Sequence, residues 1–256
     1  STKFKAEKPN GSVDIKFEFD ASKLEGTSVV AFEDVSYNGI KVGTHADIND
    51  EEQTVNFPKA GTTLVDSKTR DHVSVAEKEV TLVDTVKYEN LTPGKEYTVK
   101  GELMDKATKK SIGAKAETTF VASAKNGTVD VTFKFDGSKL AGTSVVAFES
   151  VYHKGAEIAV HADINDEGQT VDFPKVGTTL IDSATKSHEA LAAEKTKLVD
   201  TVKYENLKVG KEYTVSGVLM NKENGQPILN ADGSQIVAST KFKAEKPNGS
   251  VDIKFE

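Results

Sequence analysis

Two acidic side chains in this sequence lie on strand faces that are otherwise apolar. In the run TSVVAFE, the alternation of a β-strand places Glu149 on the same face as Val145 and Ala147. In the run LVDTVKY, the same alternation groups Asp84 with Leu82. A carboxylate on an inward face is unfavourable unless a partner compensates it. Both acids therefore need a chemical explanation.

A glutamine shares this inward pattern, and no lysine or arginine nearby does. In QTVNF, Gln53 lies on one face with Val55 and Phe57, and Gln169 is its counterpart in a second copy. Two carboxyls in a dry site without a cation raise each other's pKa, so one proton is shared between them. A protonated carboxyl donates a hydrogen bond, and the nearest useful acceptor is the side-chain carbonyl of the glutamine. An amide polarised in this way is an electrophile.

The matching nucleophile is a threonine of the GTTL run, which occurs twice. The candidates are Thr62 or Thr63 in the first copy, and Thr178 or Thr179 in the second. Adjacent strand residues face opposite ways, so only one of each pair reaches the site. A hydroxyl also needs a base, and the candidate is the histidine eight residues before each glutamine, His45 or His161. Phasing does not decide whether either histidine points inward.

These residues recur because the chain is a tandem repeat. Residue 33 aligns with residue 149, and the same offset of 116 superposes much of the chain on itself. The matching runs are HADINDE at 45 and 161, QTV at 53 and 169, GTTL at 61 and 177, LVDTVKYENL at 82 and 198, and GKEYTV at 94 and 210. Residues 239–256 repeat residues 1–18 without a change. We therefore predict the back half of one unit over 1–60, a complete unit over 61–176, and the front half of another over 177–256.

Each unit is predicted to be an antiparallel β-sandwich of the immunoglobulin-like class. Short alternating runs rich in valine and threonine are separated by turn signals such as ThrProGly and AsnGly. Residues 190–195 are the only brief helical candidate. The boundaries between units lie at Pro58 and Pro174. Because each junction is only a few residues long, we predict that neighbouring units are stacked and not loosely tethered.

Composition narrows the class of function. The 256 residues are 37% hydrophobic and 29% charged with a net charge of −7, which argues against nucleic acid or an anionic membrane as the main partner. Cysteine is absent, which excludes disulfides, thiolate nucleophiles and thiolate metal sites. No run is long enough to span a bilayer and no signal peptide is present. Because the first residue falls inside a patterned segment, we expect a longer parent protein.

The motifs VAFE, HADINDExQT and GTTL together resemble the VaFE-repeat surface proteins of Gram-positive bacteria. The resemblance implies tandem CnaB-like stalk domains of a cell-wall-anchored, extracellular adhesin. In that family each domain forms an autocatalytic ester bond between a threonine and a glutamine. The implied roles are Thr62 and Thr178 as nucleophiles, Gln169 as the partner of Thr62, His161 assisting the hydroxyl, and Asp84 with Glu149 as the proton-sharing pair. Each site reacts once, so no turnover enzyme is expected, and no cofactor is implied.

The two incomplete units hold complementary parts of a second site. Thr178 and Asp200 have no glutamine downstream, whereas Glu33, His45 and Gln53 have no threonine upstream. Pairing the C-terminal half of one molecule with the N-terminal half of the next makes a heterologous contact that does not close. We therefore expect head-to-tail Thr178–Gln53 esters between copies of this chain.

Two other functions fit parts of the pattern. The run HADINDE imitates the start of an EF-hand loop, which suggests a calcium-binding adhesion module without a cross-link. The sixth position of that loop is Glu52 in one copy and Gly168 in the other, and the twelfth is Pro58 or Pro174, so the match is weak. A Thr-His-Asp hydrolase is the enzyme alternative, but no nucleophile elbow is present. We expect no metal.

Overall fold

The computed structural model describes residues 1–256, and its regular structure is almost entirely β. The elements in chain order are β1 (Ser28–Val30), β2 (Glu33–Tyr37), β3 (Ile40–His45), β4 (Thr54–Asn56), β5 (Lys59–Asp66), β6 (Val80–Glu89), β7 (Glu96–Asp105), β8 (Lys110–Val121), β9 (Gly127–Phe135), β10 (Thr143–His153), β11 (Ala156–His161), a 3₁₀ turn (Glu167–Gln169), β12 (Thr170–Phe173), β13 (Lys175–Asp182), β14 (Leu198–Glu205), β15 (Glu212–Val218), β16 (Val237–Lys243) and β17 (Gly249–Phe255). The helix predicted over 190–195 is wrong, since these residues form no helix. No helix has the length and apolarity that crossing a membrane requires.

Strands β5 to β12 build a two-sheet sandwich. One sheet has the order β5-β6-β9, and the other has the order β11-β10-β7-β8, with β12 paired to β10. Every one of these strand pairs is antiparallel. The prediction of an all-β, immunoglobulin-like sandwich is confirmed.

The main core lies between these two sheets. It holds 18 buried apolar residues, all of them between Ala60 and Phe173. Burial alternates along β10. Val145, Ala147 and Val151 are buried, whereas Phe148 and Ser150, which lie on the opposite face, are partly exposed. A fully buried side chain of this size stabilises the fold by about 1.5–3 kcal/mol. The core therefore holds the strands of this sandwich in register.

The flanking segments are half-sandwiches without such a core. Among residues 1–59 none is buried, and the four short strands there form two separate pairs, β1-β4 and β2-β3. At the other end, β13-β14-β17 and β15-β16 repeat the arrangement of β5-β6-β9 and β7-β8. The buried apolar cluster of this half is small and consists of Ala238, Ile253 and Phe255. Strands corresponding to β10, β11 and β12 are missing from this C-terminal half.

A glycine in β7 leaves the space that a buried phenyl ring occupies at the centre of the sandwich. Gly101 in β7 pairs directly with Glu149 in β10. A Cβ at this position would lie 2.5 Å from the ring of Phe133, which is fully buried. The backbone of β7 and the phenyl ring therefore approach more closely than a side chain allows.

We predict that Gly101→Ala destabilises the sandwich by about 1–3 kcal/mol, because overpacking displaces the buried phenyl ring. Calorimetric unfolding of the full chain measures this as a lower melting temperature. The matched control is Gly61→Ala, since an added Cβ there meets no atom within 4 Å. Equal melting temperatures for the two variants would contradict the prediction.

Candidate functional site

The two sheets bring four polar side chains together in the core of the sandwich. In the first sheet, β5 pairs with β6 so that Thr62 is opposite Val86 and Leu64 is opposite Asp84. Thr62 and Asp84 therefore lie on the same inward face. In the second sheet, Glu149 points inward from β10, and Gln169 precedes β12, the strand that pairs with β10.

Hydrogen bonds join these residues across the gap between the sheets. The Thr62 hydroxyl donates to Glu149 Oε2 at 3.2 Å. The Gln169 amide Nε2 donates to Asp84 Oδ1 at 3.5 Å. Asp84 and Gln169 have no exposed surface, and Glu149 is 1% exposed. The Thr62 hydroxyl and the Gln169 amide nitrogen are thus each bound to one buried carboxyl group.

The carboxyl pair holds a proton at neutral pH. Burial, together with the adjacent Asp84 carboxyl, raises the pKa of Glu149 to about 11. Burial also raises the pKa of Asp84, although hydrogen bonds from Glu149 and Thr62 oppose that shift. No lysine or arginine forms an ion pair with either acid. Because desolvation is not offset by a cation, Glu149 carries the proton.

Apart from the proton shared by the two carboxyl groups, three buried oxygens of this cluster have no hydrogen-bond donor. They are Asp84 Oδ2, Glu149 Oε1 and Gln169 Oε1. Leaving a buried polar atom unsatisfied costs about 1–3 kcal/mol. Such groups are rare in folded proteins, and three in one cluster are typical of a site whose chemistry needs them.

The two threonines of the GTTL run differ sharply in position. Thr62 is partly buried and bonded to Glu149, whereas Thr63 is exposed on the opposite face of β5. Only the Thr62 hydroxyl therefore has access to the carboxyl pair. The equivalent residue in the C-terminal half, Thr178, is exposed.

His161 is held near the cluster by a residue that the sequence reasoning missed. It pairs with Glu149 across the β10-β11 ladder, and its Nε2 lies 2.8 Å from Asp166 Oδ2. The other oxygen of Asp166 accepts the backbone N–H of Gly168 and caps the 3₁₀ turn that carries Gln169. A signal was available in the sequence, because the same His-to-Asp spacing recurs in the first HADIND run, where His45 contacts Asp50. The Thr62 hydroxyl bonds to Glu149 and not to His161.

The second, divided set of residues keeps its local geometry but is not assembled. Glu33 pairs with His45 as Glu149 pairs with His161, and Asp200 lies on β14 opposite Leu180. The strands that carry these two parts belong to separate sheets with no pairing between them. The burial expected from phasing is wrong here, since Glu33, Gln53 and Asp200 are only half-buried. Burial needs a complete opposing sheet, and each half lacks the strands that cover the corresponding residues in the complete sandwich.

The carboxylates of the acidic loop before Gln169 accept hydrogen bonds from within the loop and from His161. The carboxylate of Asp163 accepts the backbone N–H of Asn165, and Asp166 is engaged by His161 and Gly168. No group of three or more acidic or histidine side chains is placed to hold a metal ion. These acids act as turn caps.

Comparison with known families accounts for the whole chain. The model of the T-Q ester bond containing domain matches three times, over residues 1–57, 58–173 and 174–256. The chain is a member of the T-Q ester bond domain family.

The chain is similar to several solved structures at low sequence identity. A bacterial adhesin from Mobiluncus mulieris, described as containing intramolecular disulfide, isopeptide and ester bond cross-links, is 16% identical with a TM-score of 0.41, and the match covers 73% of this chain and 98% of that one. A second crystal form of it is 16% identical with a TM-score of 0.38 over 76% of this chain and 96% of that one. A family 2 glycosyl hydrolase from Bacteroides cellulosilyticus is 8% identical with a TM-score of 0.36, covering 52% of this chain and 17% of the hydrolase. No curated protein matches.

We predict that a Thr62→Ala variant, which keeps the carboxyl pair, loses stability as the pH rises above the ordinary carboxyl range. The folded state holds the Glu149 proton up to about pH 11, whereas the unfolded chain releases it above its normal pKa of about 4.5. The folded state therefore binds more protons throughout that window, and the free energy of unfolding falls with increasing pH. Urea unfolding at pH 5, 7 and 9 (about one step per two pH units) measures the slope.

The control for this measurement is the double variant Thr62→Ala/Glu149→Gln, which removes the group with the raised pKa. Its stability should depend less on pH over the same range. Identical slopes for the single and double variants would show that Glu149 does not retain its proton in the folded state.

Proposed function

We propose that the complete sandwich forms an ester bond between Thr62 and Gln169. The observation that carries this proposal is that the hydroxyl and the amide are each hydrogen-bonded to one member of a one-proton carboxyl pair in a water-free core. Membership of the T-Q ester bond domain family supports the same reaction.

The reaction is an acyl transfer that balances without any cofactor. Thr62 Oγ1 attacks the side-chain carbonyl carbon of Gln169, the C–N bond breaks, and ammonia leaves. Glu149 Oε2 receives the hydroxyl proton while Glu149 gives the proton that it already carries to Asp84, and Asp84 delivers that proton to the departing nitrogen. The carboxyl pair ends with the one proton that it held at the start. Each site reacts once, so the protein acts on itself and not on a substrate.

The fold lowers the activation barrier of the proposed reaction and protects its product. Holding the two groups in position is worth roughly 7–11 kcal/mol of the activation barrier. Ammonia escapes into dilute solution, and the dry core protects the ester from hydrolysis. His161, fixed by Asp166 beside Glu149, favours the ionised form of Asp84 and so keeps the second acid available as a proton carrier.

The bond gives a repeat that resists unfolding and proteolysis. It closes a loop from residue 62 to residue 169, almost the entire sandwich, and cross-links of that length stabilise by about 4–5 kcal/mol through loop entropy. We infer a structural role as a stalk repeat of an extracellular, cell-wall-anchored bacterial adhesin. Tandem repetition of a covalently closed sandwich suits a part that transmits mechanical load.

We predict that a Thr178→Ala chain, in which only the complete site can react, is lighter than its sequence by the mass of one ammonia. Intact mass spectrometry of the denatured protein measures this directly. Thr62→Ala or Gln169→Ala in the same background should restore the full mass. The control Thr63→Ala should keep the deficit, because Thr63 is exposed and points away from the site.

Glu149→Gln is a further test, because it removes the carboxyl oxygen that accepts the Thr62 proton. It should slow cross-linking by about 10²–10⁴-fold, the usual contribution of a general acid–base group.

A full unmodified mass for the Thr178→Ala chain would reject the ester. A calcium-binding module would instead show no deficit and a melting temperature that falls on chelation.

We further propose that a second copy of this chain completes the divided site. The C-terminal half lacks counterparts of β10, β11 and β12, and the N-terminal half holds the corresponding strands β1 to β4. Strand β15 pairs only with β16, so the edge that β7 uses to bind β10 is free. By analogy with the Glu149–Gly101 pair, Glu33 of one copy would lie opposite Gly217 of the next.

Exposed apolar side chains on both halves fit this arrangement. Val35 and Val55 are 47% and 57% exposed in the N-terminal half, and Leu180 is 37% exposed in the C-terminal half, whereas their counterparts Val151, Val171 and Leu64 are buried in the complete sandwich. Docking the halves would bury these faces, and it would surround Asp200 Oδ1, which has no hydrogen-bond partner within the chain. The contact is heterologous and does not close, so it would make a head-to-tail polymer.

We predict a ladder of covalent oligomers on a boiled denaturing gel, linked by Thr178–Gln53 esters. Thr178→Ala alone or Gln53→Ala alone should give only monomer. A mixture of the two variants should give a covalent dimer that grows no further, because one functional junction forms and both outer ends lack a reactive residue. Monomer only in the wild-type lane would reject this partner.

A further inference from the structure

A turn in the C-terminal half forms hydrogen bonds with the strands on either side of Gln169. Asn206 Nδ2 donates to the backbone oxygen of Thr143 at 2.6 Å and to Ser144 Oγ at 3.1 Å, at the start of β10. The Ser144 hydroxyl in turn donates to Asp172 Oδ1 at 2.6 Å. Asn206 thereby ties β10 to β12, the strand that follows Gln169.

The same turn reaches the residue two places before Gln169. Lys208 Nζ binds Glu167 Oε2 at 3.1 Å. The other Glu167 oxygen is bound by Lys106 at 2.7 Å, and Lys106 also contacts Thr170 Oγ1 at 3.1 Å. Glu167 opens the 3₁₀ turn that ends at Gln169, so these lysines fix that turn from two sides.

A third contact from this turn secures the outer edge of β12. Lys211 Nζ binds Asp71 Oδ2 at 2.6 Å. The loop that follows Asp71 runs along β12, since Ser74 N–H donates to the Asp172 carbonyl and Asp172 N–H donates to the His72 carbonyl, both at 2.9 Å. Lys211 therefore anchors the loop that covers the strand leading from Gln169.

Residues 206–211 thus hold Glu167 before Gln169 and Asp172 after it, while lying outside the sandwich that contains the reactive groups. We propose that this turn is a positioning element for the ester reaction of the preceding sandwich. The inference rests on the proposed Thr62–Gln169 bond. It means that, at this junction, one repeat positions the acyl donor of the repeat before it.

The junction at the other end of the sandwich shows which part of this contact is general. Asn90 Nδ2 donates to the Thr27 carbonyl at 2.6 Å and to Ser28 Oγ at 3.1 Å, as Asn206 does to Thr143 and Ser144. Both asparagines adopt a positive φ, 64° and 61°, which aims their side chains at the neighbouring strand. Thr92 stands at the position that corresponds to Lys208. The asparagine is therefore shared by both junctions, whereas the lysine is specific to the second.

These contacts are expected to act on rate more than on stability. Ion pairs as exposed as Lys208–Glu167 add little to the free energy of folding. An acyl transfer is far more sensitive, since a displacement of about 1 Å of a reacting group costs on the order of 100-fold in rate.

The test is a time course of ester formation during cell-free synthesis of the full chain in a Thr178→Ala background. Samples are quenched in denaturant, and the fraction that has lost ammonia is read by intact mass. Asn206→Ala/Lys208→Thr should slow the reaction by about tenfold, consistent with a sub-ångström shift of Gln169. Lys208→Arg should restore most of the loss caused by Lys208→Thr alone. Lys203→Thr is the control, because Lys203 is exposed on β14 and forms no ion pair.

A second measurement separates positioning from simple loss of structure. In a Thr62→Ala chain that cannot react, Asn206→Ala/Lys208→Thr should leave the melting temperature of the complete sandwich almost unchanged. If the parent chain never loses ammonia, the proposed ester itself is wrong. If the parent reacts and the double variant reacts at the same rate, or if its slower reaction matches a collapse of the melting temperature, the positioning role is wrong.

Discussion

The burial of two carboxyl groups without a cation is the constraint on which the rest of this structure depends. Asp84 and Glu149 come from opposite sheets and meet where neither water nor a lysine reaches them. Holding a proton on Glu149 removes most of the electrostatic cost, and that proton makes the cluster chemically useful. Stability and reactivity are therefore two consequences of the same desolvation.

The sandwich serves this cluster by closing around it from both sides. The first sheet supplies the hydroxyl and one acid, and the second supplies the other acid and the segment that carries the amide. Neither sheet alone contains a reacting pair. The two terminal halves illustrate this dependence, since they carry the same residues in the same local register and leave them half-exposed. A site divided between sheets can be completed by any chain that supplies the missing sheet.

Contacts at the junction make the position of residues in one sandwich depend on the repeat that follows it. Asn206, Lys208 and Lys211 belong to one repeat, but their partners lie around the glutamine of the repeat before it. In a tandem array built in this way, the folding of each repeat helps to position residues of its neighbour. Such an arrangement suits the proposed role as a covalently cross-linked stalk repeat.

The sequence by itself determined the strand alternation, the repeat, and the inward faces of Glu149, Asp84 and Gln169, because a period of two is a local property of the backbone. It also limited the nucleophile to one of two adjacent threonines. Only the tertiary structure decided that Thr62 meets Glu149, that Asp166 orients His161, and that Glu33, Gln53 and Asp200 remain half-buried. Phasing says which way a side chain points, whereas burial, pKa and hydrogen-bond partners depend on which second surface packs against it.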